Sequence, residues 1–155
     1  MCVKPFSEKD YSSLYDFMKP LWLETYGEIL PEKQILLLLD KYFLPSAITQ
    51  FREKGYEYKR LGDGGVLIFV ERENEVFMDK LYLQPHLRGK CYATLAFSEM
   101  EKRGKDIVLA VNRKNLRALS AYKKNGFVIE KEVEVDLGNG MINYDYIMRK
   151  KASAR

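Results

Sequence analysis

The chain has little of what builds covalent or metal frameworks: its 155 residues include two cysteines, Cys2 and Cys91, and one histidine, His86. Two thiols cannot form a disulfide framework, and one histidine cannot complete a histidine cluster or a four-ligand zinc site. No metal is expected, and both thiols should stay reduced. No apolar run approaches the roughly 20 residues that cross a bilayer, and the opening Met1-Cys-Val-Lys-Pro5 does not read as a signal peptide. The expectation is a cytoplasmic protein with no membrane partner. Repeats, low-complexity tracts and interdomain linkers are also missing. Basic residues exceed acidic ones by only 26 to 22, a net charge of +4 spread along the chain. A nucleic-acid binder would carry a basic stripe interleaved with aromatics. None is found, so no nucleic-acid partner is expected, and the charge suits a phosphate-bearing ligand.

What is present fits one globular domain spanning 1–155: 46% hydrophobic and 31% charged residues, on a chain long enough to bury its own core. Ser7 and Asp10 resemble a capping box, and Tyr11, Leu14, Tyr15 and Met18 follow at helical spacing. This predicts a first helix to about Lys19, ended or kinked by Pro20. A short helix or loop, Leu21 to Leu30, follows, in which Trp22 and Tyr26 either line a pocket or pack as core. Pro31 suits the first position of a further helix through Phe43. Pro45 should break it, and Ser46 can cap another helix to about Lys54.

From Tyr56 the period changes to two. Strands are predicted at Glu57 to Leu61, Val66 to Arg72 and Glu75 to Leu83, joined by tight turns into an antiparallel meander. A turn from Gln84 to Lys90 leads into a helix from about Cys91 to Arg103. The run Asp106 to Arg113 is apolar at its centre and suits a strand covered on both faces. With a helix between them, it and the strand ending at Leu83 should be parallel neighbours. Asn115 can cap a helix ending near Gly126, and Val128 to Leu137 and Met141 to Lys150 form a hairpin across Gly138-Asn-Gly140. Lys151 to Arg155 reads as a frayed tail.

The segment from Met78 to Met100 carries the strongest chemical signal. A strand, a tight turn and a helix start place unpaired backbone N–H groups beside Arg88 and Lys90, and Gly89 lets an anion approach the backbone. A pyrophosphate fits such a place, as do solvated cations on an ordinary turn. Glu75 and Asp79 are candidate carboxylates. By the two-residue period they should share a face with Leu81 and Leu83.

The order of helices, meander, Arg88-Gly-Lys-Cys-Tyr-Ala93 turn, helix and apolar strand, followed by Asn115-Leu-Arg-Ala118-Leu-Ser-Ala-Tyr122-Lys-Lys-Asn-Gly126-Phe127, resembles the GNAT superfamily of acyl-CoA-dependent N-acetyltransferases. Cys91 departs from its pattern by standing where the central loop glycine is usual. The resemblance implies an α/β (α+β) fold: a mixed, mostly antiparallel central sheet with a splayed parallel strand pair and helices on both faces. It implies acetyl-CoA as co-substrate, with the backbone of Leu81, Tyr82 and Leu83 along the pantetheine. The loop Arg88, Gly89, Lys90, Cys91, Tyr92 and Ala93 would hold the pyrophosphate, and Asn115 would lie beside the coenzyme. Tyr122 would protonate the leaving sulfur, or else serve only as an aromatic anchor. Glu75 or Asp79 would be the general base, with Glu24, Glu28 or a water chain as rivals. The acceptor would be the amine of a small molecule or peptide. Trp22, Tyr26 and Glu28 are its candidate contacts, because Trp22 to Pro31 is similar to the early segment of members that act on small amines, polyamines included. Cys91 is either a small residue tolerated in the loop or a reactive thiol at a helix start. The alternative function is a coenzyme-binding module without turnover. A homodimer stays open.

Overall fold

A computed structural model describes residues 2–138 and 140–153. Asn139 of the predicted hairpin turn and the end of the predicted tail lie outside the described residues.

Ser7 caps the first helix, α1 (Glu8–Tyr26), with the reciprocal Ser7 and Asp10 bonds of a capping box. The helix does not stop at Pro20. It runs through it, joining two segments that the sequence suggested were separate. A mid-helix proline removes one hydrogen bond and costs about 3 kcal/mol. Met18, Leu21 and Trp22 flank it and are almost fully buried. At about 1.5–3 kcal/mol each, their burial outweighs that cost.

The next helices are α2 (Glu32–Phe43) and α3 (Pro45–Glu53). Pro45 opens α3 instead of merely ending α2, and Ser46 is not its cap. A proline at the first helical position gives up only an N–H that would have no partner. Pro31 sits one residue before α2, as its cap.

Seven strands form one sheet. A three-residue strand, β1 (Val3–Pro5), had no counterpart in the sequence reading and pairs with β2 (Glu57–Leu61). β3 (Gly65–Glu71) and β4 (Glu75–Leu83) continue the meander. After α4 (Tyr92–Glu101), β5 (Asp106–Asn112) returns parallel to β4, as expected. α5 (Leu116–Lys124) leads to β6 (Val128–Gly138) and β7 (Met141–Lys150). The order is β1-β2-β3-β4-β5-β7-β6, with β4 and β5 the one parallel pair among the described residues.

Two cores flank the sheet. Ala96, Phe97 and Met100 of α4 and Leu119 of α5 pack on Leu67, Phe69, Val76, Met78, Ile107 and Leu109. On the opposite face α1, α2 and α3 pack on Tyr58, Val66 and Ile68. The fold is therefore the mixed, mostly antiparallel sheet with helices on both faces that the resemblance implied.

One irregularity sets up the site. Ile68 pairs with Lys80 while the next residue, Phe69, pairs with Met78, so Asp79 is an extra residue in β4. Such a bulge reverses the alternation of side chains beyond it. Val76 and Met78 face α4 and α5, and past the bulge so do Leu81 and Leu83, while Tyr82 faces α1. The expectation that Glu75 shares a face with Leu81 and Leu83 is thereby corrected: the inserted residue puts Glu75 on the other side.

Candidate active site

β4 and β5 pair only from Glu75↔Asp106 to Met78↔Leu109. Beyond that register the two strands part, β4 staying with β3 and β5 with β7. A cavity of about 280 Å³ fills the wedge between them. It reaches from α5 (Ala118, Ala121, Tyr122) to the end of α1 (Thr25, Tyr26), passing Met78 to Leu83 of β4 and Ala110 and Val111 of β5. The opening therefore connects the two faces of the sheet.

At the mouth on the α4 and α5 side lies the turn predicted to bind an anion. A short 3₁₀ turn (Pro85–Leu87) precedes it. Gly89 adopts φ +73°, and a Cβ there would meet nothing within 4 Å, which leaves open space for a ligand. Cys91 is the one non-glycine residue with positive φ among the described residues, at φ 67° and ψ 14°, directly before α4. That is the left-handed conformation for which glycine is the usual choice. Its side chain is exposed, as is Lys90. The first amides of α4 have no helical acceptors and point out of its start. Tyr92 turns its ring away to cover Gly62, and Ala93 lines the cavity.

Arg88 is turned inward. Its Nε donates to the Leu83 carbonyl at 3.2 Å and its Nη1 to Glu24 at 2.9 Å. Arg117 Nη1 lies 3.9 Å from the same carboxylate. Glu24 thus ties the end of α1 to both sides of the cavity mouth. Asn115 caps α5, its Oδ1 accepting from the Ala118 N–H at 3.3 Å, and it also lines the cavity.

Tyr122 packs its ring against Phe97 and Phe127 and lines the cavity. Its hydroxyl makes no side-chain hydrogen bond among the described residues. Burial, with nearby Tyr26 adding to it, pushes its pKa above the ordinary phenol value. Its hydroxyl is therefore held in the protonated form. Tyr26 and Tyr82 hydrogen-bond to each other through their hydroxyls. Burial pushes Tyr26 up to about 12 and raises Tyr82 as well. Trp22 is core: 3% exposed, with its ring against Tyr26, Phe43 and Tyr82. Glu28 is exposed and away from the cavity lining.

The two candidate carboxylates separate. Asp79 lines the cavity at the bulge. Glu75 lies at the far end of β4, 3.2 Å from Arg149 and 3.7 Å from Arg72. Arg149 also binds Asp106 and Glu130, so that end of the strand is tied by a surface ion network.

Two charged groups escaped the sequence reading. Lys80 is 7% exposed and lines the cavity, and Asp145 of β7 is 8% exposed opposite Asn112. Burial raises the Asp145 carboxyl pKa, against the pull of Lys80 and Arg113. The signal was a charge inside each strand pattern, because buried lysines and aspartates are rare unless paired. It becomes readable only once the strands are known to be covered on both faces.

The sequence between residues 15 and 127 matches the model of the acetyltransferase (GNAT) family, and the chain belongs to that family. No curated protein matches it. Among solved structures it is similar to the PaiA N-acetyltransferase of Thermoplasma acidophilum in complex with coenzyme A, at 24% identity over 97% of this chain and 98% of that one, with a TM-score of 0.72. It is also similar to a GCN5-related N-acetyltransferase from Rhodopseudomonas palustris, at 16% identity over 97% and 94% and a TM-score of 0.76. A third is aminoglycoside 6'-acetyltransferase type Ii, at 18% identity over 100% and 99% and a TM-score of 0.68. These likenesses establish the shared fold.

Proposed function

We propose that the chain transfers an acetyl group from acetyl-CoA to a primary amine of a small molecule or peptide by direct attack. The observation that carries this reading is the wedge itself: one cavity joins the helix-start turn, the free edge of β4, a phenol and a carboxylate. The residues present fit the coenzyme. The amides from Arg88 to Ala93 would hold its pyrophosphate, Gly89 giving the room, and the backbone of Leu81 to Leu83 would hold its pantetheine. Asn115 would lie beside it. Bound acetyl-CoA supplies an acyl thioester.

The chain's own groups supply the rest. The Asp79 carboxylate lines the cavity and would take a proton from an amine arriving on the α1 side. Backbone N–H groups near the bulge, or that of Leu83, would face the thioester oxygen. The Tyr122 phenol, kept protonated by its burial, would donate to the departing sulfur. Tyr26 would contact the acceptor. Glu75, Trp22 and Glu28 take no part in this reading, since the cavity does not include them.

The second reading is a coenzyme-binding module without turnover, which Cys91 favours by occupying the left-handed loop position. Calorimetry with acetyl-CoA followed by free-thiol release across a panel of amines distinguishes the two. The enzyme reading expects binding and thiol release with at least one amine. Binding with no release on any amine selects the module, and no binding at millimolar coenzyme ends both.

A further inference from the structure

β4 carries a buried primary amine at the border of the opening in the sheet. Lys80 directly follows the bulged Asp79 and lines the cavity. Its Nζ lies 3.1 Å from Asp79 Oδ2 and 3.6 Å from the centroid of the Tyr42 ring. A carboxylate and an aromatic face are the partners that hold a primary alkylammonium. Among the described residues no other lysine is buried. With its own side chain, the protein thus places a primary amine beside the cavity assigned above to the thioester.

We propose that Lys80 is an internal acyl acceptor: with an acyl-CoA thioester in the wedge, the chain acylates its own Lys80 on Nζ. This rests on the acyl-CoA reading above. Nζ forms a C–N bond to the thioester carbonyl carbon as the C–S bond breaks, and the electron pair of that bond leaves on sulfur. The ammonium gives up two protons, one ending on the sulfur as the free thiol and the other passing through the Asp79 carboxylate to solvent. No oxidant or reductant is involved.

Burial makes the reaction intramolecular. Acyl donors in solution and other enzymes cannot reach a lysine at 7% exposure, whereas a thioester inside the cavity is already beside it. Holding the two groups together replaces a bimolecular encounter. The product is neutral, so acylation removes the cation now paired with Asp79 and leaves the acceptor side of the cavity more negative.

The test incubates the full chain with acetyl-CoA and no amine, followed by intact mass and peptide mapping. The expected result is one acetyl group per chain on Lys80, formed at a rate independent of protein concentration. It is lost in Lys80→Arg and suppressed by excess desulfo-coenzyme A, which lacks the thioester. Separately from any turnover, the Lys80 ε-methylene signal of a ¹³C-lysine-labelled chain should shift on adding desulfo-coenzyme A. If Lys80→Arg fails to fold, the desulfo-coenzyme A arms on the unaltered chain still decide. Acetylation of added amines with Lys80 unmodified overturns the inference and leaves the acetyltransferase reading standing. Acetylation confined to exposed lysines, or rising in rate with protein concentration, also overturns it. If nothing is acetylated and desulfo-coenzyme A does not bind, the functional reading falls and the inference with it.

Discussion

The two halves of β4 do different work with the same backbone. From Val76 to Met78 the strand is paired on both sides, its inward side chains are fully buried, and Glu75 at its outer end is tied through Arg149 to Asp106 and Glu130. From Asp79 to Leu83 it keeps β3 but loses β5, and its side chains border a cavity that holds a buried cation and three tyrosines. Charges at the first end are near water and neutralise one another cheaply. Charges at the second are desolvated, which raises the cost of each and makes each chemically useful. The paired half holds the geometry that the unpaired half uses.

The largest test removes the support. Phe69, fully buried beside the bulge, packs both halves together, and Phe69→Ala should cost about 3–5 kcal/mol in urea unfolding. Acetyl-CoA affinity measured by calorimetry should weaken with it. Tyr122→Phe probes the unpaired half alone. It should lower turnover by about 100-fold or more, the usual contribution of a positioned acid, with coenzyme affinity unchanged. Unchanged turnover would reduce Tyr122 to an anchor for Phe97 and Phe127.

Cys91→Gly should stabilise the chain by about 1 kcal/mol, since glycine accepts φ 67° without a Cβ clash. Thermal denaturation reads that gain, and a parallel rise in coenzyme affinity would show that the cysteine strains the loop. Glu75→Gln should cost no more than about 1 kcal/mol, being partly exposed and leaving Arg149 two other carboxylates. Its turnover should match that of the unaltered chain. A large loss would return Glu75 to the role of base. The last effect is pH-shaped. The Asp145 pKa is raised in the folded state, so its stabilising contribution is complete below the unfolded value of about 3.9 and is lost as pH rises through the folded value. Asp145→Asn should therefore raise the melting temperature at pH 7 and lose that advantage in acid.

The stretch from β4 to α5 was legible because its signals are local. The turn glycine, the Asn115 cap, the apolar run of β5 and the pair Gly126 and Phe127 each sit within a few residues of what they control. Pro20 misled because the gain that holds α1 together across it comes from tertiary burial of its neighbours. β1 was missed because three residues carry no period, and only pairing to β2 makes them a strand. Assigning the carboxylates by alternation failed at Glu75, since a two-residue period holds only without insertions. Lys80 and Asp145 are 65 positions apart, and nothing local to either says that both will be buried on the same side of one sheet.

The extra residue at Asp79 acts as a half-period phase shift in the strand. Were Asp79 to take a regular place in the ladder opposite Ile68 instead of bulging, Leu81 and Leu83 would point toward α1 and α2, and Lys80 and Tyr82 toward α4 and α5. The apolar lining and the ionisable lining of the opening would trade places while the sheet order stayed the same. A single bulged residue therefore keeps the apolar lining on one side of the sheet and the ionisable lining on the other, and deleting Asp79 would remove the bulge while leaving Met78, Lys80 and Leu81 on the faces they already occupy.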